Sequence, residues 1–127
     1  MAKVMGVGGV FFRCLDRDGL AAWYQKWLGM PVNEQFCGAE FKTANYPKGG
    51  YTVWGLFKSD TDYFAPSDQQ FMVNLVVDDI KAALAQVAEG GGTVLDGPVD
   101  DPCGLFGWFL DPEGNKVELW QPYQHAE

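Results

Sequence analysis

The chain is 127 residues long, the size of one domain, and its 47% hydrophobic content is enough to build a core. Its net charge of −8, from 17 acidic and 9 basic residues, argues against nucleic acid and anionic membranes as partners, since binders of either present a basic face. The same charge serves solubility, or a preference for cationic ligands.

The three cysteines, Cys14, Cys37 and Cys103, are odd in number and irregularly spaced. They read as reduced thiols of a cytoplasmic protein, not as a disulfide framework. The first residues lack the apolar core of a signal peptide, and no apolar run approaches the ~20 residues of a membrane span.

Taken in order, residues 8–16 (GGVFFRCLD) are apolar and β-prone. The glycines Gly6, Gly8 and Gly9 precede no helix start or lysine, so they do not form a phosphate loop. Leu20, Trp23, Tyr24, Trp27 and Leu28 then follow helical spacing and predict an amphipathic helix, stopped by Gly29 and Pro31. Trp23, Tyr24 and Trp27 are assigned to core or subunit contact. Residues 32–36, 39–43 and 51–57 read as three short strands, with a YPKGG turn at 46–50.

Residues 58–70 (KSDTDYFAPSDQQ) are polar and carry a proline, and are read as a linker. The order then recurs. Residues 71–77 (FMVNLVV) predict a strand, and Asp78 and Asp79 cap a helix carried by Ile80, Ala83, Leu84, Val87 and Ala88. Three glycines, Gly90 to Gly92, end it. Strands are expected at 93–94, 105–110 and 116–121, with the last two joined by a turn of sequence DPEGN at 111–115. Each half therefore reads β-α-β-β-β. The expectation is a single α+β domain over 1–127, with module 1 at about 4–58, a linker at 59–70 and module 2 at about 71–122.

On this frame, Asp16, Trp23-Tyr24, Leu28-Gly29, Val77-Asp78-Asp79 and the string FLDPEGNKVEL at 109–119 together resemble the vicinal oxygen chelate superfamily, of glyoxalase/bleomycin-resistance/extradiol-dioxygenase type. Nearly the whole chain takes part. The resemblance implies that the two modules form an incomplete barrel or cup with a ligand cavity on its concave side. It also implies a divalent metal, held by a His on the first strand, an optional Glu at the end of the first half, a His opening the second half and a Glu in the closing strand. Here those positions fall on Gly9, the Trp54-Gly55 region, Met72 and Glu118. Glycine has no donor and a thioether is a poor ligand for hard metals, so no metal and no cofactor is expected. The single histidine, His125, is read as a solvated tail residue.

Strand alternation supplies the expected lining. With Glu118 facing the cup, Lys116 and Trp120 share its face, while Val117 and Leu119 face the helices. The concave set then includes Phe106 and Trp108, then Met72, Asn74 and Val76, and on the first strand Gly9, Phe11 and Arg13. Trp54 comes from the last strand of the first half, and Tyr63 and Phe64 of the linker would close the mouth.

Three functions compete. The first is a small-molecule-binding protein with an aromatic pocket lined by Phe11, Trp54, Tyr63, Met72, Asn74, Phe106 and Trp108, taking an aromatic or cationic ligand. The second is a glyoxalase-like lyase or isomerase, with Glu118 as general base and Arg13 stabilising an oxyanion. The third is an interaction domain whose cup its own side chains fill. Arg13 and Glu118 have a plainer reading as an internal ion pair, Asn74 as a partner of backbone only, and Met72 as packing. A homodimer is expected, because sheet edges and apolar helix surface need cover.

Overall fold

A computed structural model describes residues 1–3, 5 and 7–123; His125 lies outside the described residues, as does Gly6. The architecture is α+β. Among the described residues, a four-stranded sheet carries two α-helices on a single face.

Helix α1 spans Arg17–Leu28. The Asp16 carboxylate caps it by accepting from Gly19 N–H at 3.0 Å. Gly29 ends it at φ 64°, a left-handed conformation that a side chain would strain. Strand β1 (Val73–Val76) leads through the Asp79 cap into helix α2 (Ile80–Glu89). Strands β2 (Thr93–Asp101), β3 (Gly104–Leu110) and β4 (Lys116–Pro122) follow as a meander. The sheet order is β1-β4-β3-β2, with β1 parallel to β4 and the other pairs antiparallel.

The core lies between the helices and this sheet. It joins Leu20 and Tyr24 of α1, Ile80, Ala83, Leu84 and Val87 of α2, and Phe109, Val117 and Leu119 of the sheet. Gly107 permits the close approach of α2, since a Cβ there would stand 2.9 Å from Leu84 Cδ1. The helices are also bound through side chains: Trp23 Nε1 donates to Gly90 O at 2.8 Å, and Gln86 Nε2 to Trp27 O at 2.7 Å.

The turn at 111–115 locks this packing. Asp111 is buried, and its Oδ1 accepts from the N–H groups of Glu113 (2.9 Å) and Asn115 (3.0 Å). Its Oδ2 accepts from the Tyr24 hydroxyl at 2.9 Å, which ties the hairpin to α1. Burial first, and then the Asp111 charge, push the Tyr24 hydroxyl far above its ordinary range, so it remains a donor. Glu113 reaches the N-terminus of α1, where its two carboxylate oxygens accept from Leu15 N–H (2.6 Å) and Asp16 N–H (2.7 Å).

The first half departs from the sequence expectation. Among the described residues no strand ladder forms before Val73, and the pairing there is one isolated bridge, Asn33 to Gly38. Residues 8–16, 32–36, 39–43 and 51–57 therefore carry no strand, although a 3₁₀ turn forms at Thr43–Asn45. Strand propensity is local, but a ladder needs a neighbouring edge, and a lone extended segment gains little. In the second half the second strand is longer than expected: β2 runs to Asp101, through register shifts on either side of Asp96.

Candidate functional site

The sheet face turned away from the helices carries one row of side chains, set by strand register. Asn74 of β1 lies opposite Glu118 of β4, Glu118 opposite Trp108 of β3, and Trp108 opposite Asp96 of β2. The next row is Val76, Trp120, Phe106 and Val99. Alternation sends Val117, Leu119 and Phe109 the other way, into the core.

Glu118 is the centre of the first row. It is 9% exposed, and three neutral donors converge on its carboxylate. Asn74 Nδ2 donates to Oε1 at 2.7 Å, Trp108 Nε1 donates to Oε2 at 2.9 Å, and the Tyr63 hydroxyl donates to Oε2 at 2.5 Å. No cationic side chain forms an ion pair with it among the described residues. Burial, and next the bond to Glu118, push the Tyr63 hydroxyl above its ordinary range, so at neutral pH it keeps the proton it donates.

Aromatic rings wall the cluster. Phe106 stacks between Trp108 (centroids 6.5 Å apart) and Trp120 (6.1 Å). Tyr63 meets Trp108 edge to face at 6.2 Å and stacks on Phe57 at 5.5 Å, and Tyr51 meets Trp120 at 5.0 Å. Lys116 Nζ lies 5.2 Å from the centre of the Tyr63 ring and donates to Tyr63 O. A cleft of about 280 Å³ opens beside the cluster, with Tyr63, Leu95, Asp96, Trp108 and Lys116 among its lining residues.

The structure thus brings Tyr63, Asn74, Phe106, Trp108 and Glu118 together. It does not bring in Arg13, Phe11 or Trp54. Arg13 is exposed and makes no ion pair with Glu118, while Phe11 is 94% and Trp54 75% exposed. Their expected positions depend on the pleat of first-half strands, and those ladders do not form among the described residues. Met72 lies one residue ahead of β1, half-buried and outside the paired row. Lys116, expected on the Glu118 face, lines the cleft, and Asp96 joins it as a residue that the alternation did not indicate. Asp96 was hidden because Gly97-Pro98 reads as a strand breaker, yet β2 continues through it. Phe57 and Tyr51, expected on strands, arrive instead as ring contacts.

The divalent metal that the resemblance implies does not fit these residues. Gly9 offers no donor, and the Glu118 lone pairs face one O–H and two N–H groups rather than other ligands. No group of three or more His, Cys, Asp or Glu side chains suited to a metal exists among the described residues.

Comparison with known proteins gives the following likenesses. A family model described as glyoxalase-like domain matches residues 9–120. The chain is similar to TnmS3, an antibiotic binding protein from Streptomyces sp. CB03234, with 41% identity over 40% of this chain and 41% of that one, and a TM-score of 0.37. It is similar to a glyoxalase/bleomycin resistance protein from the same organism, with 38% identity over 41% of this chain and 46% of that one, and a TM-score of 0.36. The chain therefore covers less than half the length of either of these two. A virulence protein from Salmonella typhimurium shares the fold along 91% of this chain and 100% of its own, with 14% identity and a TM-score of 0.52. No curated protein matches. No helix among the described residues is long and apolar enough to cross a membrane.

Proposed function

The chain belongs to the glyoxalase-like domain family, and from that premise we propose that it is a metal-independent small-molecule-binding module, with its ligand held on the aromatic face that carries Glu118. One observation carries this reading: a buried carboxylate, held by neutral donors, stands in an aromatic wall beside an open cleft. Rings offer contact area, and the carboxylate fixes orientation. The lyase or isomerase reading has less support, because its proposed oxyanion partner, Arg13, is exposed and unpaired with Glu118.

The test is a binding titration followed by tryptophan fluorescence. A fitting ligand is expected to quench emission, and Trp108→Ala to weaken its binding by about 1 kcal/mol or more, the scale of a lost aromatic contact. Unchanged affinity in Trp108→Ala would remove the wall from the site.

The absence of a ligand set supports a second expectation. Elemental analysis of the purified protein should find no divalent metal near one per chain. Stoichiometric zinc, nickel, manganese or iron would overturn the metal-independent reading.

The proposal includes a homodimer. Phe11, Leu15, Trp54 and Leu56 are each at least 75% exposed, and Val10, Val53 and Phe57 more than half exposed. A monomer rarely leaves so much apolar surface in water. β1 also pairs on one side only among the described residues, so the sheet ends in an open edge. Light scattering is expected to give twice the chain mass. A monomer mass over a wide concentration range would refute this part of the proposal.

A further inference from the structure

The Tyr63 side chain is not part of the sheet that builds the Glu118 cluster. It hangs from the segment 58–70, whose backbone hydrogen bonds are nearly all local turns: Thr61 to Lys58, Ala65 to Asp62, Ser67 to Phe64. Two more local bonds end on side chains: Tyr63 N–H donates to Thr61 Oγ1 and Gln69 N–H donates to Ser67 Oγ. What anchors this strap to the sheet near Tyr63 is the side chain itself, together with Lys116 Nζ on the Tyr63 carbonyl. Segments tied down by so few contacts open at low cost compared with the core. Asn74 and Trp108, by contrast, stand opposite Glu118 in the ladder, so their bonds to it come from the sheet and not from the strap.

Resting on the reading above, we infer that the Tyr63 ring is an internal occupant of the ligand subsite, and that the subsite takes a flat neutral ring bearing an O–H or N–H donor. The hydroxyl bond to Glu118 and the ring contacts with Phe57 and Trp108 are ones that such a ligand would repeat. Its hydroxyl supplies a donor to Oε2 of a buried carboxylate. Its ring supplies a face to Phe57 and an edge to Trp108. The cleft already reaches this ring, so moving Tyr63 aside enlarges a space that exists. Lys116 settles the charge of the ligand. Its ammonium sits 5.2 Å from the ring centre, where it attracts an aromatic face and repels a second cation. The acidic net charge of the chain does not reverse this local preference, which works at contact distance.

The probe is 4-methylphenol, which is the tyrosine side chain as a free molecule. Toluene has the same ring without the donor, and benzylamine has a cation in its place. Calorimetry on the whole 127-residue chain is expected to show 4-methylphenol binding Tyr63→Ala about tenfold tighter than the unaltered chain, the scale of one hydrogen bond to a charged group. Toluene should gain less than about threefold, and Glu118→Gln in the Tyr63→Ala background should remove most of the phenol's advantage. Tyr63→Phe keeps the ring and its packing. It should also gain affinity for the phenol, by a smaller factor, because the competing hydroxyl is gone. Equal binding of 4-methylphenol to the unaltered chain, Tyr63→Ala and Tyr63→Phe would overturn the inference, and so would a preference for toluene or benzylamine. If another ring-bearing ligand quenches Trp108 while 4-methylphenol binds no form, the inference falls and the binding module stands. If no ring binds any form, both fall.

Discussion

Asp111→Ala is expected to destabilise the fold by about 3 kcal/mol, because it strips the acceptor from several buried or half-buried donors at once. The carboxylate is 5% exposed, and it serves the N–H groups of Glu113 and Asn115, the Asn115 side-chain amide and the Tyr24 hydroxyl. An unsatisfied buried donor costs roughly 1–3 kcal/mol, and water can rescue only the more exposed of these. The Tyr24 bond spans 87 residues of sequence, so its loss frees the hairpin from α1 as well as loosening the turn. Tyr24→Phe removes that one bond and should cost about 1 kcal/mol. Glu113→Ala uncaps the two N–H groups at the start of α1 and should also cost about 1 kcal/mol. Urea denaturation followed by circular dichroism reads all three as shifts in midpoint at constant slope. An Asp111→Ala midpoint equal to that of the unaltered chain would show that the network stabilises nothing. The ordering also separates roles: the DPEGN string acts as a latch between sheet and helix, not as chemistry.

That latch was only half legible in the sequence. The turn was plain from Pro112 and Gly114, but Tyr24 read as core by its helical spacing. Nothing in the spacing paired its hydroxyl with a residue 87 positions on. The two helices were legible because apolar periodicity, Asp caps and terminal glycines agree with each other. β3 and β4 were legible because alternation over seven residues leaves one choice of face, and it sets Glu118 and Trp108 side by side. The first half was not. Its segments have strand composition, but pairing depends on an edge that local sequence cannot supply. Phe11, Arg13 and Trp54 were placed through those segments, and they lie exposed. Tyr63 reached the cluster by another route, from a linker whose position no periodicity specifies.

Neighbouring residues on β3 give the sharpest test of this face assignment. Phe109 is fully buried beside its strand partner Val117 in the core under the helices, with Trp23 tilted on it at 6.0 Å. Phe109→Ala should cost about 3–5 kcal/mol, the range for emptying a large aromatic site in a packed core. Trp108, one residue earlier, is half-buried on the opposite face and lines the cleft of the proposed site. Trp108→Ala loses the indole bond to Glu118 and some ring contact, but water can enter the space, so its stability cost should stay near 1–2 kcal/mol. Ligand binding should show the reverse order. Phe109→Ala, studied at a temperature where it remains folded, is expected to bind nearly as the unaltered chain does, because the core side of the strand never meets the ligand. Equal denaturation losses for the two variants would mean that the Trp108 face is packed as tightly as the core. The cup would then be filled by its own side chains, and the chain would be an interaction domain rather than a binding module.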